Sequence, residues 1–156
     1  DIEGNTSEIN FYDHGIQLTR RFRALKFYMS LKTFGLKEFR DAITYNIDLA
    51  EEVENILRGS KSWEVVFPAT LAVINFRYNP IHKNYGDKEL DEFNQYISEK
   101  VVESRKALLV TTILNGQIVL RMCLINPRTT LDDVTETLEL CKQFALEKEE
   151  KMKEKV

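Results

Sequence analysis

The chain has 156 residues, 43% hydrophobic and 30% charged, with 22 basic and 25 acidic side chains and a net charge of −3. These figures fit one globular domain of ordinary composition, able to bury roughly 70% of its unfolded surface. They exclude generic nucleic-acid binding, which needs an excess of Lys and Arg, and a membrane-spanning helix, which needs ~20 consecutive apolar residues.

Residues 1–18 read as a connecting segment: polar, aromatic at Phe11-Tyr12, then turn-like at Asp13-His14-Gly15. The acidic start, Asp1 to Glu8, is neither a signal nor a transit peptide. Thr19 is placed to cap a first helix, along which Phe22, Leu25, Met29 and Phe34 recur near helical spacing. Phe27, Tyr28 and Leu31 widen that stripe, so the helix should be buried on more than one side, and Gly35 should end it. A second helix is predicted from Lys37 to Arg58, its stripe being Phe39, Ile43, Ile47, Ala50, Val53 or Glu54, and Leu57. Glu38, Arg40, Asp41, Asp48, Glu51 and Glu52 form its solvated face, and Gly59 terminates it.

The β segment Trp63–Phe67 should stop at Pro68, which has no N–H to give a ladder. Leu71–Tyr78, β-branched and aromatic, is a strand. After the loop Asn79–Gly86, Asp87 caps a third helix with Leu90, Phe93, Ile97 and Val101 on one face. Strands Ala107–Leu114 and Gln117–Asn126 meet at Asn115-Gly116, a hairpin turn in which both residues need positive φ. Thr130-Leu131-Asp132-Asp133 resembles a capping box with Asp in place of Glu, and opens a last helix through Val134, Leu138, Cys141 and Phe144. Its tail, Glu147–Lys155, is nearly all Glu and Lys and reads as a solvated or frayed end. This order gives an α+β fold, with helices packed on one face of a small antiparallel sheet.

Cys123 and Cys141 make no disulfide framework; in apolar surroundings both are expected to be buried, reduced thiols of a cytoplasmic protein. His14 and His82 lie far apart without ligand spacing, so no metal site is indicated.

Several segments together carry a family resemblance. They are Thr19-Arg20-Arg21-Phe22-Arg23-Ala24-Leu25-Lys26, Ile74-Asn75-Phe76-Arg77-Tyr78, Leu90-Asp91-Glu92-Phe93-Asn94, and the run Val119 to Thr130 with its Leu120-Arg121 pair. In this order and spacing they resemble the C-terminal domain of the group II pyridoxal-phosphate-dependent amino-acid decarboxylases, the group of the aromatic-amino-acid, tyrosine, histidine and glutamate enzymes. The match spans residues 12 to about 145. It departs from the pattern at Glu103-Ser104-Arg105-Lys106, where many members have a Gly before the hairpin. The resemblance implies the small domain of the aspartate-aminotransferase-like fold type I, with residues 19–156 forming that domain and its linker helix. It also implies a large N-terminal domain that is missing here and binds pyridoxal 5′-phosphate, a homodimer, and a small amino-acid substrate that is aromatic or similar. No residue here is expected to be catalytic or to bind the cofactor.

Arg121 is the leading substrate-binding candidate. Flanked by apolar positions on both faces of its strand, it should need a partner, since an unpaired buried charge is costly. A guanidinium suits a carboxylate, and a structural pair within the domain explains Arg121 equally well. By resemblance, the matching Arg of glutamate decarboxylases holds a substrate carboxylate. Thr19 is the second candidate; its position lies near the substrate side chain in the family, and an N-cap role is compatible with that. Lys83 follows His82 as the family's cofactor lysine does, but it stands downstream of the Arg-rich run in a polar loop, and the match is read as accidental. Arg20, Arg21 and Arg23 oppose the dipole of the helix they begin and should have acidic partners. Arg77 reads as structural. Two other readings stay open: a free-standing, non-catalytic binding or dimerisation module, and a related pyridoxal-phosphate lyase of the same fold.

Overall fold

The computed structural model describes residues 14, 16, 19 and 21–153, which divide between Phe39 and Arg40 into two compact units. The first helix, α1 (Ala24–Gly59), runs through that division. It begins five residues after Thr19, which lies exposed in a bend. Thr19 is therefore not its N-cap: a turn, with the Arg23 N–H bonded to the Arg21 carbonyl at 2.8 Å, separates the two. Arg21 and Arg23 are exposed and oppose the positive end of a helix dipole, which favours a start beyond them. Gly35 interrupts the helical dihedrals with φ 82° and ψ 159°, a conformation open essentially to glycine alone. The two predicted helices are thus both present, joined directly at a kink at the expected residue.

In the first unit Phe22, Phe27, Tyr28, Met29, Phe34 and Leu36 are exposed, and the ring of Phe27 meets that of Phe39 edge-on at 6.0 Å. The expected burial of this stripe on several sides is not met among the described residues.

The second unit holds the core. Its sheet has the order β1-β2-β4-β3, every neighbouring pair antiparallel, with β1 (Trp63–Thr70), β2 (Val73–Tyr78), β3 (Val110–Leu114) and β4 (Gln117–Cys123). One face, Ile74, Phe76, Tyr78, Leu120 and Met122, is buried against three helices. These are the C-terminal part of α1 through Leu49, Ala50, Val53 and Leu57, α2 (Asp87–Glu103) through Phe93, Ile97 and Val101, and α3 (Leu131–Lys153) through Val134, Leu138, Cys141 and Ala145. This is the predicted α+β arrangement. The α1 stripe is rotated from the expected one: Asn46 and Leu49 turn inward and Ile43 is exposed.

Pro68 does not stop β1. The strand continues to Thr70 with register shifts on both sides of Phe67, an irregularity that an edge strand tolerates around a residue without an N–H. Leu71 and Ala72, at φ 50° and 61°, then make a two-residue hairpin turn without a glycine. Asn115 and Gly116 take the expected positive φ. Gly86, not Asp87, is the N-cap of α2, and its N–H donates to Glu89 Oε2 at 2.8 Å. At the other end of α2, Arg105 adopts φ 59°, the left-handed conformation that suits a glycine at this post-helical position. The capping box of α3 forms as expected: the Thr130 N–H donates to Asp133 Oδ2 at 2.8 Å, and the Asp133 N–H to Thr130 Oγ1 at 3.2 Å. No helix among the described residues is long and apolar enough to cross a membrane.

Candidate functional site

Strand alternation turns Leu120 and Met122 into the core and Arg121 and Cys123 outward. Arg121 lies between Asn75 of β2 and Val110 of β3, its register partners on either side. Its side chain is exposed and has no hydrogen bond or ion pair among the described residues. The expectation that apolar flanks would bury it fails at Arg121, although Val119 and Arg77 on the same side of the sheet are buried. An exposed guanidinium retains its five donors for a carboxylate brought to it. Arg121 does not line the cleft of about 730 Å³ that opens between Leu108, Met122, Leu124 and the α3 side chains Val134, Thr137 and Leu140.

The buried cation of the sheet is Arg77, only 1% exposed. Its Nη2 donates to Asp91 Oδ1 at 2.6 Å and to the Asp87 carbonyl at 3.0 Å, and its Nη1 donates to Asp87 Oδ1 at 3.2 Å. The structural reading of Arg77 is therefore right. Sequence reading assigns Asp87 only a capping role and Asp91 only a place in a family segment, although their spacing of four along a helix puts both carboxylates on one face. Asn94, fully buried one turn on, accepts the Tyr78 N–H at 2.8 Å and donates to the Leu90 carbonyl at 2.7 Å, closing the end of β2 against α2.

The tail of α3 holds the second buried charge. Glu149 is 4% exposed and accepts hydrogen bonds from the Tyr78 hydroxyl at 2.9 Å and from Lys83 Nζ. The tail is therefore not solvated throughout. Glu149 continues the stripe Val134, Leu138, Cys141, Ala145 at helical spacing, a signal its charged neighbours conceal. Burial alone would raise the pKa of Glu149; the bonds from Lys83 and Tyr78 outweigh it and hold the carboxyl below its ordinary range. The hydrogen bond to Glu149 raises the pKa of Lys83 in turn. A lysine that forms a covalent imine with a cofactor needs the opposite shift.

Thr19 is exposed and lies in the first unit, whereas Arg121 lies in the second. Cys141 is buried, which pushes its thiol up to about 12, but Cys123 is exposed, contrary to expectation, because it shares the outward face of β4 with Arg121. Both cysteines are free.

Comparison with known proteins agrees with this architecture. The family model described as the pyridoxal-dependent decarboxylase conserved domain matches residues 4–79. An aromatic-L-amino-acid decarboxylase of Bacillus atrophaeus is 43% identical over 147 residues, covering 94% of this chain and 30% of that protein. A phenylacetaldehyde synthase of Arabidopsis thaliana is 31% identical over 137 residues, covering 88% of this chain and 28% of that protein. The crystal structure of Oryza sativa TDC with PLP and tryptamine superposes with a TM-score of 0.80 at 27% identity, over 88% of this chain and 29% of that one. The chain thus spans about 30% of the length of the curated relatives it matches. Sequence segments, sheet order and relatives converge, and the chain belongs to the pyridoxal-dependent decarboxylase family.

Proposed function

We propose that the whole protein is a pyridoxal-phosphate-dependent L-amino-acid decarboxylase, a cytoplasmic carboxy-lyase for an aromatic or similar amino acid. In it, residues 1–18 connect to a large N-terminal domain and residues 19–156 form one wall of the active-site cleft and part of a homodimer. The observation that carries this reading is the 43% identity, over nearly the whole chain, to a protein named aromatic-L-amino-acid decarboxylase. The geometry supports it through Arg121, an exposed cation unpaired among the described residues, where a substrate carboxylate is held against a second wall. By the family resemblance, Thr19 lies near the substrate side chain. The exposed apolar residues of the first unit supply a surface for the large domain and the partner subunit.

Pyridoxal phosphate, when bound, supplies the electron sink for loss of the α-carboxylate. The residues described here do not fit the anchoring of that group. Lys83 is held protonated by a buried carboxylate, and we assign the anchoring lysine to the large domain. Full-length protein with the cofactor should release CO₂ from aromatic L-amino acids. Residues 1–156 alone should release none and should form no borohydride-reducible adduct. An adduct at Lys83 would refute the assignment of the lysine, and a full-length protein inactive on every L-amino acid would refute the reaction.

A second reading is a related lyase of the same fold, favoured by the 31% identity to a phenylacetaldehyde synthase. The product distinguishes the two: an amine in the first case, an aldehyde in the second.

A further inference from the structure

We infer that the pair of buried Arg77 and half-buried Asp91 is a positioning device that holds strand β4 in the register presenting Arg121 outward. This inference rests on the reading of Arg121 as substrate-facing. One atom, Asp91 Oδ1, joins three elements: it accepts from Arg77 Nη2 of β2 at 2.6 Å and from the Ile118 backbone N–H of β4 at 2.8 Å, while Asp91 itself belongs to α2. Asp87, one turn earlier, repeats the arrangement, accepting from Arg77 Nη1 at 3.2 Å and from Gln117 Nε2 at 3.3 Å. Gln117 and Ile118 are the first two residues of β4. Arg121 lies three residues beyond Ile118, and its cross-strand partner Asn75 lies two residues before Arg77. The clamp therefore grips both strands just outside the pair that presents the guanidinium.

Register is what such a grip protects. A slip of one residue would carry Arg121 to the face occupied by Leu120 and Met122, against the helices. The apolar pattern of β4 resists a slip weakly, because Ile118, Val119 and Leu120 run apolar on both faces. A bond to one particular backbone N–H cannot slip without being broken. Stability alone does not account for the arrangement, since apolar side chains of similar volume commonly replace a buried ion pair at no loss. Arg77 is a positioning residue in this account and touches no substrate.

The test is steady-state decarboxylation by the full-length protein carrying Arg77→Met together with Asp91→Leu, which removes both charges of the pair, leaves only the exposed Asp87 carboxylate without the guanidinium, and frees the Ile118 N–H. KM for the amino acid should rise roughly tenfold while kcat changes far less, with a native near-ultraviolet circular dichroism spectrum. Asp91→Asn keeps an oxygen for the Ile118 N–H, so its KM should stay near the wild-type value even where its melting temperature falls; a merely structural role would make KM follow stability instead. Should the double variant fail to fold, Asp91→Ser, which leaves Arg77 its Asp87 partner, takes its place with the same expected rise. A folded double variant with wild-type KM, beside an Arg121→Met variant with raised KM, overturns the clamp and leaves the role of Arg121 standing. Wild-type KM in Arg121→Met removes that role and the purpose of the clamp with it.

Discussion

Glu149 shows how one buried charge ties a helix tail to the sheet. Its pKa lies below the ordinary 4.5, so it stabilises the fold above that value, and the stability is lost as pH falls through the folded value. Glu54, lowered by the Ala69 N–H, shifts in the same direction. Lys83 is shifted upward, so its contribution is complete below 10.5 and is lost as pH rises through the folded value. The buried Cys141 thiol, raised from 9.0 to about 12, adds a loss of stability that begins as pH rises past 9. The melting temperature should be flat between about pH 5 and pH 9 and fall on either side. Glu149→Gln should cost about 1–3 kcal/mol at neutral pH and flatten the acid limb. Thermal melts across pH check this, and an unchanged acid limb would show that Glu149 does not titrate on unfolding. At this scale the sequence was least legible. Arg121 was expected buried and Glu149 solvated, and both expectations failed for one reason: local pattern gives the side of a strand or helix, not what covers it.

Among the elements, caps and turns were legible where their residue chemistry is specific. The Asn115-Gly116 turn, the Thr130–Asp133 box and the break at Gly35 all stand where side-chain type or a missing Cβ demands them. The Leu71-Ala72 turn was not legible, because neither residue favours the positive φ it adopts, and tertiary pairing of β1 with β2 imposes it. Arg105 is the same kind of exception, a side chain in a conformation that glycine takes freely. Arg105→Gly should therefore stabilise the portion by roughly 1 kcal/mol, read as a higher denaturation midpoint. A lower midpoint would mean that the Arg105 side chain contributes more than its backbone conformation costs.

For the whole molecule, the fold class was legible because helical and strand periodicities alternate clearly and the Asn-Gly hairpin fixes the direction of one strand pair. Family membership was legible from ordered short segments rather than from any single motif. What covers the first unit was not, since its apolar side chains name no partner. Phe22, Phe27, Tyr28, Met29, Phe34 and Leu36 are exposed together, so residues 1–156 in isolation should self-associate in sedimentation velocity. A clean monomer would remove the support this surface gives to a subunit or domain contact.

The central claim is that this portion forms a wall of a decarboxylase active site, with Arg121 turned toward substrate. Steady-state kinetics of Arg121→Met in the full-length protein, with its melting temperature, test it most directly. The account predicts a loss in kcat/KM worth about 2–4 kcal/mol, because one charge-assisted contact to substrate disappears. It also predicts an almost unchanged melting temperature, because the side chain is exposed and strands no partner among the described residues. Unchanged kcat/KM with a markedly lowered melting temperature would contradict it.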